Sequence, residues 1–236
     1  MIPQSISASI VPYNGARWVA FAGEFMRIWG DSIFPRLLDW TMRGNEELKA
    51  LRTRALAPAQ GRILELGIGT GLNLSHYPPM VREIAAVDPS PGMAAIAQRR
   101  MCESGVKVDH HQISAESLCF DTGSFDSVVC TLTLCSIPNV RAALAEVWRV
   151  LKPGGQFLFL EHGRHTDAAV AKWQDRLNPF WGAVFDGCNI NRDIAQLVDA
   201  AGLELKSMDH PQIRAPRIAG YVYLGRAQRP VADRRD

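Results

Sequence analysis

"RILELGIGTGLNLSHY", residues 62–77, decides how the chain is read. An apolar run carrying one acid, Glu65, gives way to three glycines at every second position, Gly67, Gly69 and Gly71. Apolar residues bounded by glycine read as a buried strand leading into a turn. Glycine tolerates positive φ and has no Cβ, so backbone in such a turn can lie close against a ligand. A short helix is expected after the turn, around Leu72 to His76.

Working outward, strand and helix signals alternate. "EIAAVD" (83–88) reads as a second strand, and Pro91 to Glu103 as a helix opened by Ser90 and Pro91. "VKVDHHQ" (106–112) and "FDSVVCTL" (125–132) read as strands, Asn139 to Leu151 as an amphipathic helix, and "QFLFLEH" (156–162) as a fifth strand. Arg192 to Ala201 is helical and stops at Gly202, and "LELKSMD" (203–209) and "AGYVYLGR" (219–226) are two late strands. Such alternation implies an α/β fold with a largely parallel sheet covered on both faces, and the consecutive late strands imply an antiparallel edge.

Ligands of such sheets bind beyond the strand C-termini. Two classes suit a strand, a glycine turn and a downstream acid: a dinucleotide or S-adenosylmethionine (SAM). Dinucleotide turns read G-x-G-x-x-G. Here the pattern is G-x-G-x-G, with Leu72 at the position of the third dinucleotide glycine. A SAM site needs room for a methionine tail and a polar anchor for its ammonium, and Glu65, Gly67, Gly69 and Gly71 are counted in the expected cofactor set. Asp88, ending the second strand, is placed to accept from both ribose hydroxyls. "SAES" (114–117) supplies Ala115 and Glu116 near an adenine, and Thr131 in the fourth strand completes the expected cofactor set.

These residues carry a resemblance. Gly61 to Gly163 resembles the class I SAM-dependent methyltransferases in "ILELGIGTG", "AVDPS", "FDSVVCTLTLCSI" and "LKPGGQFLFLEH". The last stretch is frequent in the ubiquinone/menaquinone group. The resemblance implies a Rossmann-like, seven-stranded sheet with one antiparallel strand, with SAM as cofactor and S-adenosylhomocysteine as product. "CTLTLCSIPNVRAALAEVWRVLKPGG", "WQDRLNPFW" and "DGCNINRDI" are similar to the alkyl thiol S-methyltransferases, which implies thiol methylation. Animal members of that family carry a hydrophobic membrane anchor that is not seen in this sequence. A quinone C-methyltransferase, a phospholipid N-methyltransferase and a non-catalytic SAM binder are the alternatives.

Composition bounds the remaining classes. The 236 residues suffice for one sizeable domain. With 26 Lys and Arg against 24 Asp and Glu, the charge of +2 gives no electrostatic case for nucleic acid. Five scattered cysteines form no C-x-x-C pair and no zinc-like spacing, so reduced thiols in a cytoplasmic protein are expected and no metal. No signal peptide or 18-residue apolar run is visible.

The chain divides into a helical layer or lid (1–60), the SAM-binding domain (61–227) and a tail (228–236). Trp18, Phe21, Phe25, Ile28 and Trp29 recur at helical spacing, Gly30 and Asp31 interrupt, and a second helix is expected from Phe34 to Ala57. Membrane contact through the first helix is not favoured, because its charges nearly cancel.

On the acceptor side, His162 follows the fifth strand and reads either as a base or as a structural histidine beside Glu161. Cys135 lines the pocket or packs as a small apolar residue. Asp186 orients an acceptor or caps a turn. These three are the expected catalytic set, serving a small, apolar acceptor. Trp173, Phe180, Trp181 and Phe185 are expected to cover that acceptor, and His76 is a candidate for the cofactor's methionine end. Arg214 and Arg217 read as a solvated loop, or as partners of an anionic acceptor.

Overall fold

The computed structural model describes residues 29–231. The helical pattern at Trp18, Phe21, Phe25 and Ile28 and the end of the tail lie outside the described residues. Seven strands form one sheet: β1 (Ile63–Leu66), β2 (Glu83–Val87), β3 (Lys107–His111), β4 (Phe125–Thr131), β5 (Leu151–His162), β6 (Glu204–Asp209) and β7 (Val222–Gln228). Their order is β3-β2-β1-β4-β5-β7-β6. β7 runs antiparallel to both neighbours, and the other pairs are parallel. The order reverses between β1 and β4, so a crevice opens beyond their C-termini.

β1 is buried along its whole length, as a central strand covered on both faces must be. One core layer joins β1, β4 and β5 to helices α4 (Val140–Val150) and α6 (Ile194–Ala200) through Leu64, Phe125, Leu144, Val147 and Val198. The opposite layer packs Ile63, Ile84, Val129 and Leu158 against Leu56 and Leu74.

Five local expectations are corrected. The segment after the glycines forms turns, closed by Leu74 N–H donating to Gly71 O and His76 N–H to Asn73 O. Pro78 and Pro79 leave no room for a helix there. The interruption expected at Gly30 and Asp31 is a π-helical turn, Trp29–Ile33, which runs directly into α1 (Phe34–Arg43). The single helix expected from Phe34 to Ala57 is two. α2 (Glu46–Leu56) restarts after Gly44, with Asn45 accepting from Leu48 N–H as its N-cap. A helix not anticipated, α5 (Ala168–Val184), carries the aromatics after β5 and contains Pro179. β7 runs to Gln228, and Arg229 sits 3.8 Å over the Trp148 ring and donates to the carbonyls of Trp148 and Arg149, so the start of the expected tail belongs to the sheet, between β5 and β6.

α3 (Pro91–Glu103) follows β2, with Ser90 accepting from Met93 N–H. α1 and α2 lie over the strand ends. Leu48 and Leu51 pack on Leu160 and Val222, and Arg100 of α3 grips Asp39 of α1 through two hydrogen bonds of 2.6 and 3.1 Å. No helix among the described residues is long and apolar enough to cross a membrane.

Candidate active site

One cavity of about 600 Å³ occupies the crevice, within the range of small-molecule sites. Its walls come from the glycine turn, the ends of β2, β4 and β5, and the α1–α2 layer. Gly67 has φ +68°, and a Cβ there would meet Thr133 at 2.3 Å. Gly69 has φ +54°, and a Cβ there would meet only Gly67 O among the described residues, at 3.9 Å. The first glycine is demanded by the protein, while the second leaves a cradle for a ligand. Gly71, with φ +80°, turns instead toward Leu74 and Arg100, so it packs the turn on α3 and does not line the cavity.

Asp88 lies on the cavity wall and is buried. It accepts from Gly69 N–H at 2.8 Å and Ser90 N–H at 2.9 Å, one bond per oxygen. Each oxygen keeps a lone pair for a vicinal diol. Burial pushes its carboxyl up, against those two amides. Ala115 and Thr131 also line the cavity. Glu116 does not: it accepts from Asn139 N–H at the start of α4 and from Ser114 Oγ, and so fastens the 114–117 loop.

Glu65 is fully buried below the cavity floor. Its oxygens accept from Asn73 Nδ2 at 2.8 Å and Tyr77 Oη at 2.7 Å. Burial raises its pKa to about 7. What reaches the cavity from this network is Arg52 of α2, which is 7% exposed. Its Nη1 donates to Asn73 Oδ1 at 2.6 Å and Thr131 Oγ1 at 3.1 Å. Sequence reasoning missed Arg52, Asn73 and Tyr77. "LRTRAL" looks like any charged helix, and only the tertiary fold turns one of its two arginines inward. His76 accepts from or donates to Thr53 Oγ1 at 2.9 Å and stays off the cavity wall.

At the far end, three side chains converge from three elements. Cys135 comes from the turn after β4, His162 from the last position of β5, and Cys188 from the loop after α5. Cys188 Sγ lies 3.2 Å from His162 Nε2 and accepts from Trp181 Nε1 at 3.4 Å. The two sulfurs and one imidazole nitrogen all lie within 4.8 Å of one another. Hydrogen bonding from Cys188 draws the Cys135 thiol well below its usual value, and Cys188 is correspondingly raised. Burial pushes His162 down, but the Cys135 charge, its hydrogen bond and the Glu161 charge together raise it to about 9. Glu161, wholly buried, accepts from Thr133 N–H at 2.9 Å and Leu134 N–H at 3.0 Å and so holds the Cys135 turn.

Asp186 lines the cavity at its exposed rim with φ +48°, a strained conformation for a non-glycine residue. Burial raises its carboxyl, and so does the nearby Asp31 charge. Of the four expected aromatics, Trp181 and Phe185 line the cavity, stacked at 4.2 Å. Trp173 and Phe180 point out, 55% and 71% exposed. Arg214 touches the cavity but pairs with Glu47, and Arg217 pairs with Asp167.

The cradle at Gly69, the free lone pairs of Asp88 and the buried cation Arg52 suit a ligand with an open edge, a ribose diol and an amino-acid carboxylate. SAM has all three. The sheet order with this site defines a class I SAM-dependent methyltransferase.

Comparison with known proteins agrees. The methyltransferase-domain family matches residues 64–159. The human thiol S-methyltransferase TMT1A (Homo sapiens) is 35% identical over 170 residues, 68% of this chain and 69% of its own length. A ubiquinone biosynthesis O-methyltransferase of Xanthomonas axonopodis pv. citri (strain 306) is 37% identical over 117 residues, 49% of this chain and 48% of its own. The N-methyltransferase NodS from Bradyrhizobium japonicum WM9 shares the fold, with a TM-score of 0.59 at 17% identity over 78% of this chain and 95% of its own. The chain belongs to the SAM-dependent methyltransferases, in the same family as TMT1A.

Proposed function

We propose that the enzyme methylates the sulfur of a small, apolar thiol. The carrying observation is a single cavity that runs from the glycine turn and Asp88 to the Cys135–His162–Cys188 end, walled between by Phe34, Leu38, Met42, Leu132 and Phe185. The thiol activity in the name of TMT1A supports the same acceptor.

SAM, when bound, supplies a methyl activated by its sulfonium. Gly67, Gly69, Asp88 and Ala115 would hold its nucleoside side, and Arg52, bonded to Thr131 at 3.1 Å, would meet the methionine carboxylate. Glu65 and Gly71 act indirectly, by fixing Asn73 and the turn. The apolar walls hold the acceptor and exclude water, leaving positioning as the protein's main contribution. Bound SAM would supply that methyl to the acceptor's sulfur, the new C–S bond replacing the methyl–sulfonium bond, whose electron pair would stay with S-adenosylhomocysteine. A free thiol has a pKa near ~8.5, and its thiolate is the nucleophile. Cys135, held ionised beside His162, receives the S–H proton; His162, the one histidine on the cavity wall among the described residues, stabilises that thiolate, and Asp186 orients the acceptor from the rim. The α1–α2 layer is the cover under which acceptors enter. Its Leu37 both lines the cavity and is 45% exposed, which supports an apolar entry rim. All five cysteines are unpaired, which supports a reducing compartment such as the cytoplasm.

The test is S-adenosylhomocysteine formation with an alkyl thiol, a quinol and a phosphatidylethanolamine dispersion in parallel. Turnover with the thiol alone is expected. Turnover confined to the quinol or the lipid overturns the acceptor, and tight SAM binding with no turnover on any of them makes the chain a binder.

A further inference from the structure

Two sulfurs and an imidazole nitrogen at the closed end of a cavity are also a ligand set. We propose that Cys135, His162 and Cys188 bind a zinc ion, leaving a fourth position open to the cavity for the acceptor's sulfur. The inference rests on the thiol reading for the use of that fourth position, but not for the site itself.

Geometry comes first. A tetrahedral zinc site has Zn–S near ~2.3 Å and Zn–N near ~2.0 Å, so its ligand atoms stand about 3.5–3.8 Å apart. The His162 Nε2 to Cys188 Sγ separation is 3.2 Å, and no pair in the trio exceeds 4.8 Å. Adjustments of about 1 Å or less complete the site. All three residues line the cavity, so the remaining position faces the acceptor and not packed protein. Three protein ligands with one open position are the pattern of catalytic zinc, and thiolate with imidazole selects zinc over magnesium or calcium.

The two cysteines are already held in place, and His162 Nδ1 is buried without a hydrogen-bond partner among the described residues. Asn189 N–H and Nδ2 both donate to Cys135 O, at 2.8 and 3.0 Å, which pins the Cys188 loop to the Cys135 turn. Trp181 Nε1–H points at Cys188 Sγ, as amides and indoles do around metal-bound sulfur. Glu161 fixes the Cys135 turn from below. Charge balances as well. Zinc with two thiolates and a neutral imidazole is neutral, and Arg192, donating to Leu134 O and Ile137 O nearby, offsets the extra negative charge of a third thiolate. Sequence spacing hides the set, since its members lie 27 and 26 positions apart. In this arrangement the acceptor's S–H proton passes to solvent as its sulfur joins the ion, and Cys135 and His162 are ligands in place of a proton acceptor and its partner.

The experiment uses the full chain with Cys102→Ser and Cys119→Ser, which removes the exposed thiols. Stripped protein is titrated anaerobically with zinc against a chromophoric chelator, and separately with cobalt(II). One zinc per chain with Kd below about 1 µM is expected. The cobalt protein should show tetrahedral visible bands and near-ultraviolet thiolate charge transfer of two sulfurs. Cys135→Ser with Cys188→Ser should weaken zinc by roughly 100-fold or more and abolish the charge transfer. The cobalt spectrum of the parent decides the matter even if that variant does not fold. No zinc binding in the micromolar range, or binding that survives the double substitution, overturns the site. Thiol turnover by a chain that takes no zinc sinks this inference and leaves the proposed function standing. Tight zinc without thiol turnover upholds the site and sinks the acceptor.

Discussion

Asp88 works in two directions at once. Its oxygens draw in the amides of Gly69 and Ser90, which shapes the turn, and present their spare lone pairs to the cavity. Asp88→Ala removes both, and the ribose loses hydrogen bonds to a charged acceptor, each group of this kind contributing about 1.5–3 kcal/mol. Calorimetry should show SAM binding weakened by roughly 10- to 150-fold in a chain that still unfolds cooperatively. Asp88→Asn, keeping one acceptor, should lose less. Unchanged affinity in folded Asp88→Ala would mean that the cofactor lies elsewhere. Arg52 is the complementary case. It is a buried cation bonded to two neutral acceptors, with the Glu65 and Glu161 carboxyls near but not in contact, so a direct ion pair is left for a ligand carboxylate. Arg52→Met should raise the Kd for SAM more than for a decarboxylated analogue, and equal losses for both ligands would reduce Arg52 to a packing role.

At the scale of elements, the strand ends alone do not close the site. The α1–α2 layer does, and a single ion pair ties it to the cofactor turn: Arg100 of α3 bonds Asp39 of α1 and also donates to Thr70 O at 2.6 Å. Burial pushes the Asp39 carboxyl up, but hydrogen bonds from Arg100 and Thr70 and the charges of Arg100 and Arg43 together hold it below its ordinary range. The pair is partly exposed, with side chains at 26% and 12%, so it is worth less than a fully buried one. Asp39→Asn should cost about 1–3 kcal/mol in urea unfolding and loosen SAM binding several-fold. An unchanged midpoint and affinity would show that apolar packing at Phe34 holds α1 by itself. α5 is anchored differently. The wholly buried Gln174 directs its amide at the carbonyls of Gly163, Ile190 and Ile218, and its oxygen accepts from His165 N–H at 2.8 Å. That clamp fixes where Trp181 and Cys188 stand.

For the whole molecule, the positions of the strands and the meeting of the glycine turn with Asp88 were legible because local signals carry them: continuous apolar runs, glycines at a strand end, an acid ending the next strand; the strand order was not. Arg52, Asn73, Gln174 and the meeting of Cys135 with Cys188 were not legible. Each depends on distant elements closing over the crevice, and nothing near them in sequence marks an inward-facing polar group. Glu65 shows what that closure costs. Its motif position read as a cofactor anchor, yet the fold buries it under the cavity with Asn73 and Tyr77 as partners. Burial raises its pKa from 4.5 to about 7, so between those values the folded chain binds a proton that the unfolded chain releases. The stability contributed by protonated Glu65 is complete below about pH 4.5 and is lost as pH rises toward 7. Glu65→Gln keeps the shape and an acceptor but has no proton to lose. The stability of the natural chain minus that of the variant, from urea unfolding at several pH values, should therefore fall by on the order of 2–3 kcal/mol from pH 4.5 to 7 and then level off. A difference that instead rises with pH between about 3 and 5 would mean that Arg52 and the two donors outweigh burial, and that Glu65 stands ionised beneath the site throughout.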